Sequence, residues 1–298
     1  MKKYIKSFSF FAFAIAIAII GCKKTDYSFG EIKTPTNFTA TTTVIGSSVA
    51  LPTGDGSGKV SIKVTATNAI SYNINFGDGN SAIVPTGDTT YKYGSPGVSD
   101  YNITITAVGT GGSISTLTKK ITVFVDHTIP PSIINALTNN GTSQVWQTDH
   151  DAPGHFGVGP NTDFSPIWYA ATPNTREGCA YDDEITFTKT GDNKISMSVD
   201  NKGQTFIIAA ATTFYSLSGG DNCYNLTTAS KALAFAEATS TSTTANSTRE
   251  QFTVPGNGIV NFATGGTTYE ILSITPTTMH IRNIGADGNA WYQKLKVK

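Results

Sequence analysis

From Val60 onward the chain alternates apolar and polar positions: Val60, Ile62, Val64; then Tyr72, Ile74, Phe76; then Tyr101, Ile103, Ile105; then Ile121, Val123, Val125. A period of two puts each set on one face of a strand, and the Gly, Pro and Asp clusters between the runs supply turns. Over residues 38–126 this spacing predicts a small sandwich of two antiparallel sheets. His127-Thr128-Ile129-Pro130-Pro131 interrupts the pattern and reads as a linker, 127–131, because consecutive prolines are semi-rigid and cannot donate ladder bonds. A second antiparallel domain is predicted over 132–298. It contains a hairpin (Tyr181 to Thr188, a turn at Thr190 to Asn193, then Ile195, Met197, Val199) and a closing meander of Tyr269 to Ile274, Met279 to Ile284 and Ala290 to Val297. The fold class expected is therefore all-β. The second domain is expected to be a β-sandwich or jelly roll, with an eight-stranded lipocalin-like barrel as the alternative. Between Asn225 and Arg249, where Ala, Ser and Thr dominate, the expectation is a surface loop with one helical turn near Ala232 to Glu237.

The first residues follow a different rule. Lys2, Lys3 and Lys6 precede an apolar run from Phe8 to Ile20, too short to span a bilayer comfortably, as in a secretory signal. The run ends in Ile19-Ile20-Gly21-Cys22, which resembles a bacterial lipobox. That resemblance implies removal of a signal peptide, 1–21, and lipidation of Cys22, with membrane attachment through the lipid. Residues 22–37 are polar and carry Gly30 and Pro35, as suits a tether. In an exported chain the two remaining cysteines, Cys179 and Cys223, favour a disulfide, with two buried free thiols as the alternative.

Within the first domain the most specific feature is Phe76-Gly77-Asp78-Gly79, followed by Tyr91-Lys92-Tyr93, Gly97 and Tyr101. This pattern resembles the PKD family. Asn75 stands where Asp is usual, and Val98-Ser99-Asp100 lengthens the step from Gly97 to Tyr101. The two glycines permit positive φ in a tight connection and Asp78 can bond nearby amides, so the motif is read as structural. No helix follows it to supply the aligned N–H groups of a phosphate site. The resemblance implies a spacer or adhesion module.

Composition narrows the partners. The chain balances 21 Lys and Arg against 21 Asp and Glu, with only 14% charged residues, and has no basic cluster, so no nucleic-acid partner is expected. All three tryptophans, Trp146, Trp168 and Trp291, fall in the second domain, where an irregular Gly-rich stretch runs from Asp149 to Pro160 and on to Trp168-Tyr169. Long loops of this kind commonly carry function. Sugars stack C–H faces on flat rings and bond their hydroxyls to planar polar groups. The candidate glycan-binding residues are Trp168, Tyr169, His155, Asp183 and Trp146. If extended, Trp168 and Tyr169 point to opposite sides, so that one packs while the other meets ligand. Strand parity assigns Trp291 to the core with Leu295, and Trp146 is either core or platform.

No catalytic residue is assigned. Asp182-Asp183-Glu184 offers carboxylates, but neighbours on a strand alternate faces, whereas a glycosidase needs a facing pair. A Gly-x-Ser-x-Gly elbow and a Cys-x-x-Cys pair are both missing from the sequence. Asp149-His150-Asp151 with His155 lacks the helical spacing of a transition-metal site. No cofactor is expected, a structural calcium held by turn carboxylates such as Asp182, Asp183, Asp221 or Asp287 being the alternative to simple turn caps.

The stretches Gly154 to Pro160, Trp168-Tyr169, Tyr181 to Phe187 and Gly288 to Leu295 together resemble a module of Bacteroidota lipoproteins that follows PKD or Ig-like domains. The resemblance is to SusE-like surface glycan-binding proteins of polysaccharide-utilisation systems. It implies a non-catalytic protein lipid-anchored in the outer membrane at the cell surface, capturing polysaccharide such as the β-glucan laminarin for uptake, alongside an outer-membrane transporter and a SusD-like partner. The two rival classes are a glycoside hydrolase and a docking lipoprotein without glycan affinity that uses strand edges or an apolar patch.

Overall fold

The computed structural model describes residues 30–298. The signal peptide, Cys22 and the rest of the tether up to residue 29 lie outside the described residues. Seven strands form the first unit: β1 (Thr36–Val44), β2 (Lys59–Thr67), β3 (Ala69–Asn75), β4 (Ser81–Ile83), β5 (Asp88–Lys92), β6 (Gly97–Gly109) and β7 (Ile114–Val125). They make two antiparallel sheets, β1-β2-β5 and β4-β3-β6-β7. The alternating residues Val60, Ile62, Ile74, Ile103, Ile105 and Val123 are all buried between them. The Gly-Asp-Gly turn after β3 does structural work. Gly77 (φ +84°) passes so close to the Asn102 carbonyl that a Cβ there would lie 2.6 Å from its oxygen. Asp78 accepts the Tyr91 hydroxyl (2.6 Å) and the Asn80 N–H (3.0 Å), and the Tyr91 ring stacks on Phe76 at 3.7 Å.

The segment expected as a linker is built into the second unit. Ile129 is buried, and Pro131 opens a short helix, α1 (Pro131–Leu137), at the position where its missing N–H costs nothing. Thirteen further strands follow: β8 (Ser143–Thr148), β9 (Phe156–Gly159), β10 (Tyr169–Ala170), β11 (Glu184–Gly191), β12 (Lys194–Asp200), β13 (Gln204–Ile207), β14 (Asn222–Asn225), β15 (Lys231–Ala232), β16 (Ala234–Glu237), β17 (Glu250–Thr253), β18 (Thr268–Ile274), β19 (Thr278–Ile284) and β20 (Ala290–Val297).

The main sheet runs β15-β12-β11-β8-β20-β19-β18-β17-β16, antiparallel at every step. Its two ends, β15 and β16, are consecutive pieces of one segment, Lys231–Glu237, so the sheet curls into a nearly closed up-and-down barrel. The barrel alternative thus describes the second domain better than the sandwich or jelly roll. The same segment corrects the helical turn expected near Ala232: Leu233 and Phe235 alternate inward, and burying both on a strand outweighs the helix propensity of the alanines.

The interior is filled. Trp146, Phe187, Phe235, Phe252 and Tyr269 sit there with Ile129, Ile133 and Leu137 from the α1 region, and the Trp146 Nε1–H donates to the Leu137 carbonyl (3.2 Å). A smaller core outside the barrel gathers Phe156, Phe206, Ile207, Tyr215 and Phe262. The Cys179–Cys223 disulfide is present there, joining the turn before β11 to β14. Trp146→Ala removes the largest side chain of the barrel and is expected to cost about 3–5 kcal/mol of stability, read as a lower urea midpoint at unchanged slope.

Candidate functional site

The loop after β8 is anchored at both ends. Tight turns at Asp149–Ala152 and Ala152–His155 deliver the chain to β9, which pairs with the first half of β20 (Phe156↔Gln293, Gly157↔Tyr292). Residues 160–167 then fold back over the outer face of the sheet. Gly157 and Gly159 make room for them: a Cβ on Gly157 would lie 2.4 Å from Pro166, and one on Gly159 would lie 3.1 Å from the Ser165 carbonyl. Phe164 packs on Leu272, Ala290 and Tyr292, with the Arg282 guanidinium 4.8 Å above its ring. The Asp163 carbonyl accepts both the Tyr292 hydroxyl (2.6 Å) and Arg282 Nε–H (2.9 Å).

The loop emerges as edge strand β10, with Tyr169 opposite Val158. Trp168 is 60% exposed and Tyr169 43%. Their parity differs. Tyr169 stands in the cross-strand row of Val158, Trp291, Asn283 and Tyr269, which leads into the buried side of the sheet. Trp168 shares the other face with Ala170. Gly154 (φ +67°) passes beside Ala170: a Cβ there would meet the Ala170 Cβ at 3.6 Å and Lys294 Nζ at 3.8 Å, ordinary contact distances. The loop also carries a polar cluster. Lys296 Nζ pairs with Asp151 (2.8 Å) and Asp149 (3.3 Å), Asn174 Nδ2 donates to Asp151 (3.2 Å), and Asn174 Oδ1 meets His150 Nδ1 (2.5 Å). Lys296 and Asn174 hold the Asp151 carboxyl below the usual range. An exposed indole and planar amide, carboxylate and imidazole groups therefore belong to one loop.

The other sequence candidates do not reach this surface. Trp146 is a core residue with no exposure, because its row on β8 faces the barrel interior opposite Ile185. His155 is buried, held between the Ala152 carbonyl (2.8 Å) and the Tyr181 hydroxyl (2.9 Å), and burial lowers its pKa. It shapes the loop from beneath. Asp183 points inward just before β11, 1% exposed, and among the described residues neither of its carboxylate oxygens has a bonding partner. Burial first, then the charges of Asp182 and Asp200, push its pKa up to about 8. Trp291 is half-buried rather than fully in the core; its ring meets Phe262 edge-on and its Nε1–H donates to Asp287 (3.1 Å). The turn carboxylates go separate ways, Asp221 capping the Ala209 N–H (2.7 Å) and Asp287 bonding Trp291 and Asn289. Among the described residues no group of three or more His, Cys, Asp or Glu could hold a metal ion.

Sequence reasoning missed Asn174, Lys294, Lys296 and the role of Gly154. The shared parity of Lys294 and Lys296 is legible in the last strand, but what faces them is set by the fold-back of the loop.

No protein-family model matches the chain, and no curated protein matches it. Among solved structures, the chain is similar to the PKD1 domain of the metalloprotease PrtV from Vibrio cholerae, at 21% identity, over 31% of this chain and 100% of that one, with a TM-score of 0.24. It is also similar to a carbohydrate-binding module of the β-sandwich superfamily, at 11% identity, over 90% of this chain and 92% of that one, with a TM-score of 0.25. At these TM-scores neither likeness says what this chain does.

Asp183 gives a pH test. Its folded pKa of about 8 lies above the unfolded value near 3.8, so the folded state keeps a proton that the unfolded state releases between those values. Its contribution is full below about pH 4 and is lost as pH rises toward 8, by at most about 1.4 kcal/mol per unit. Asp183→Asn is expected to raise the thermal midpoint at pH 7.5 more than at pH 4. Equal shifts at both pH values would contradict a protonated Asp183.

Proposed function

We propose that this chain is a carbohydrate-binding protein that holds polysaccharide on its surface without cleaving it. The observation that carries the reading is Trp168: a large flat ring, 60% exposed, on a loop clamped to the barrel and followed by planar polar groups. An indole exposed on a rigid backbone costs solvation without packing gain, and its use is as a stacking platform. The rigid support matters because a preformed platform loses little entropy on binding.

Binding without hydrolysis is supported by the carboxylates of β11. Asp183 is buried facing inward, while Glu184 lies on the opposite face, paired with Lys298 (2.7 Å) and Lys202 (3.0 Å). They do not flank a common space as a hydrolytic pair must. Export and lipid attachment at Cys22 rest on the leader sequence, and the polar residues after it suit a tether that carries the first sandwich and then the barrel outward. Capture of β-glucan such as laminarin for uptake by an outer-membrane transporter with a SusD-like partner is the physiological role we infer.

Native affinity gels containing laminarin, mixed-linkage glucan, xylan or mannan, with a reducing-sugar assay in parallel, test the reading. Retardation in one gel without sugar release is expected. Trp168→Ala is expected to weaken that binding by about 1–3 kcal/mol, by analogy with nucleobases stacked on aromatic side chains, with Trp168→Phe intermediate. Unchanged affinity of a folded Trp168→Ala protein would move the site elsewhere. Cys22→Ser is expected to shift the expressed protein from the membrane to the soluble fraction; retention in the membrane would argue against lipidation.

A further inference from the structure

The barrel closes on Lys231–Glu237, and the closure stops halfway along that segment. The Leu233 N–H donates to the Ile195 carbonyl (2.9 Å). Pairing with β12 goes no further, because β12 begins at Lys194, directly after its turn from β11. The turn residue Asn193 is engaged elsewhere, accepting the Ile129 N–H (2.7 Å) and donating to the His127 carbonyl. From Ala234 to Glu237 the segment has a neighbour on one side only, β17. Antiparallel neighbours exchange bonds at alternate residues. The Ala238 N–H donates to the Arg249 carbonyl, so Ala234, Ala236 and Ala238 turn their backbone groups to β17 and Phe235 and Glu237 turn theirs away. Among the described residues, no bond uses the outward N–H or C=O of Phe235 or Glu237.

This free edge borders a cleft of about 1300 Å³ between the barrel and the first sandwich. The opposite wall is one end of the sandwich: Gly79, Asn80 and Gly94 from loops, with Tyr91 of β5 and Ser99 and Tyr101 of β6. Three bonds hold the wall in place: Lys194 Nζ to Ser99 Oγ (2.9 Å) and to the Val98 carbonyl, and the Gly256 N–H to Asn80 Oδ1 (2.9 Å). Among the described residues, no strand is hydrogen-bonded to β16 on this side.

The chemistry of the cleft differs from that of the Trp168 face. Its rings are occupied, Tyr91 stacking on Phe76 at 3.7 Å and Tyr93 on Tyr101 at 3.9 Å, so it offers no free platform to a sugar. It offers instead backbone donors and acceptors at strand spacing, which an extended peptide satisfies by adding a strand. At roughly 160 Å³ per strand residue, from the rise, the strand spacing and the distance between packed sheets, the volume suits about eight residues. A second copy of the chain would bring a folded sheet with its edge, which a space of that size does not admit.

We propose that the Phe235–Glu237 edge receives an extended peptide segment of a partner protein, added as a strand between the barrel and the sandwich. The probe is a blocked peptide copying Lys194–Asp200, the sequence that lies beside the first half of the same segment. Residue-level amide exchange is measured on the exported chain from Lys23 to Lys298. Saturating peptide is expected to slow exchange at Phe235 and Glu237 by about tenfold or more, and a version N-methylated at alternate residues is expected to have no effect. Glu237→Pro removes an N–H that β17 does not use, and is expected to abolish the protection at Phe235 with an unchanged thermal midpoint. If that variant does not fold, the N-methylated peptide makes the same distinction on the native protein. The proposal is overturned by no slowing with the native peptide, by equal slowing with the N-methylated one, by slowing with laminarin in place of peptide, or by slowing that follows protein concentration alone.

Discussion

Eight antiparallel strands enclose a bore about wide enough for inward side chains to fill, and here Trp146, Phe187, Phe235, Phe252 and Tyr269 fill it, none more than 1% exposed. Burying each such side chain contributes about 1.5–3 kcal/mol, and the edge-on contact of Phe187 with Phe252 and the stacking of Phe252 on Tyr269 fix their mutual orientation. A barrel of this size with small inward residues would carry a ligand cavity. Here inward side chains take up that space, and the candidate site lies instead on an insertion between strands.

The insertions are held by a charge pair inside the outer layer. Arg282 and Glu270, both about 95% buried, stand in one cross-strand row with their nearest charged atoms 3.7 Å apart. Arg282 reaches outward to the Asp163 carbonyl and to Phe164, while Glu270 accepts the hydroxyls of Ser247 (2.6 Å) and Ser242. Two loops distant in sequence, 160–167 and 239–249, are thereby pinned to the same strands. Buried ion pairs add little net stability compared with apolar packing, but breaking one leaves an uncompensated charge, which suits a positioning role. Trp168 lies at the end of one of these pinned loops, just before edge strand β10.

Much of the fold was legible because period-two alternation with one buried face specifies strands strongly, as in β2, β3, β6 and β7. The closing meander was legible for the same reason. What the pattern could not express was strand pairing at a distance. The segment Lys231–Glu237 reads locally as helix or loop, and only the exposed edges of β12 and β17 make it a strand. α1 was hidden by its two prolines, which look like a linker until Ile129, Ile133 and Leu137 are seen to enter the barrel core. Within the site, the opposite parity of Trp168 and Tyr169 followed from their adjacency, but not the exposure of both rings, since one of the two was expected to pack. The burial of His155 and Asp183 did not, because polar residues among turn signals read as surface, and their burial depends on Tyr181, the disulfide-linked segment and the barrel rim packing over them.

The three tryptophans occupy three environments: Trp146 sealed in the barrel, Trp291 half-buried against Phe262, and Trp168 exposed. Iodide quenching of tryptophan emission, with and without the polysaccharide that retards the protein, separates surface recognition from every interior alternative. If the sugar stacks on Trp168, the iodide-accessible emission is lost on binding and is already missing from Trp168→Phe. Binding that leaves the accessible emission unchanged would contradict recognition at this ring.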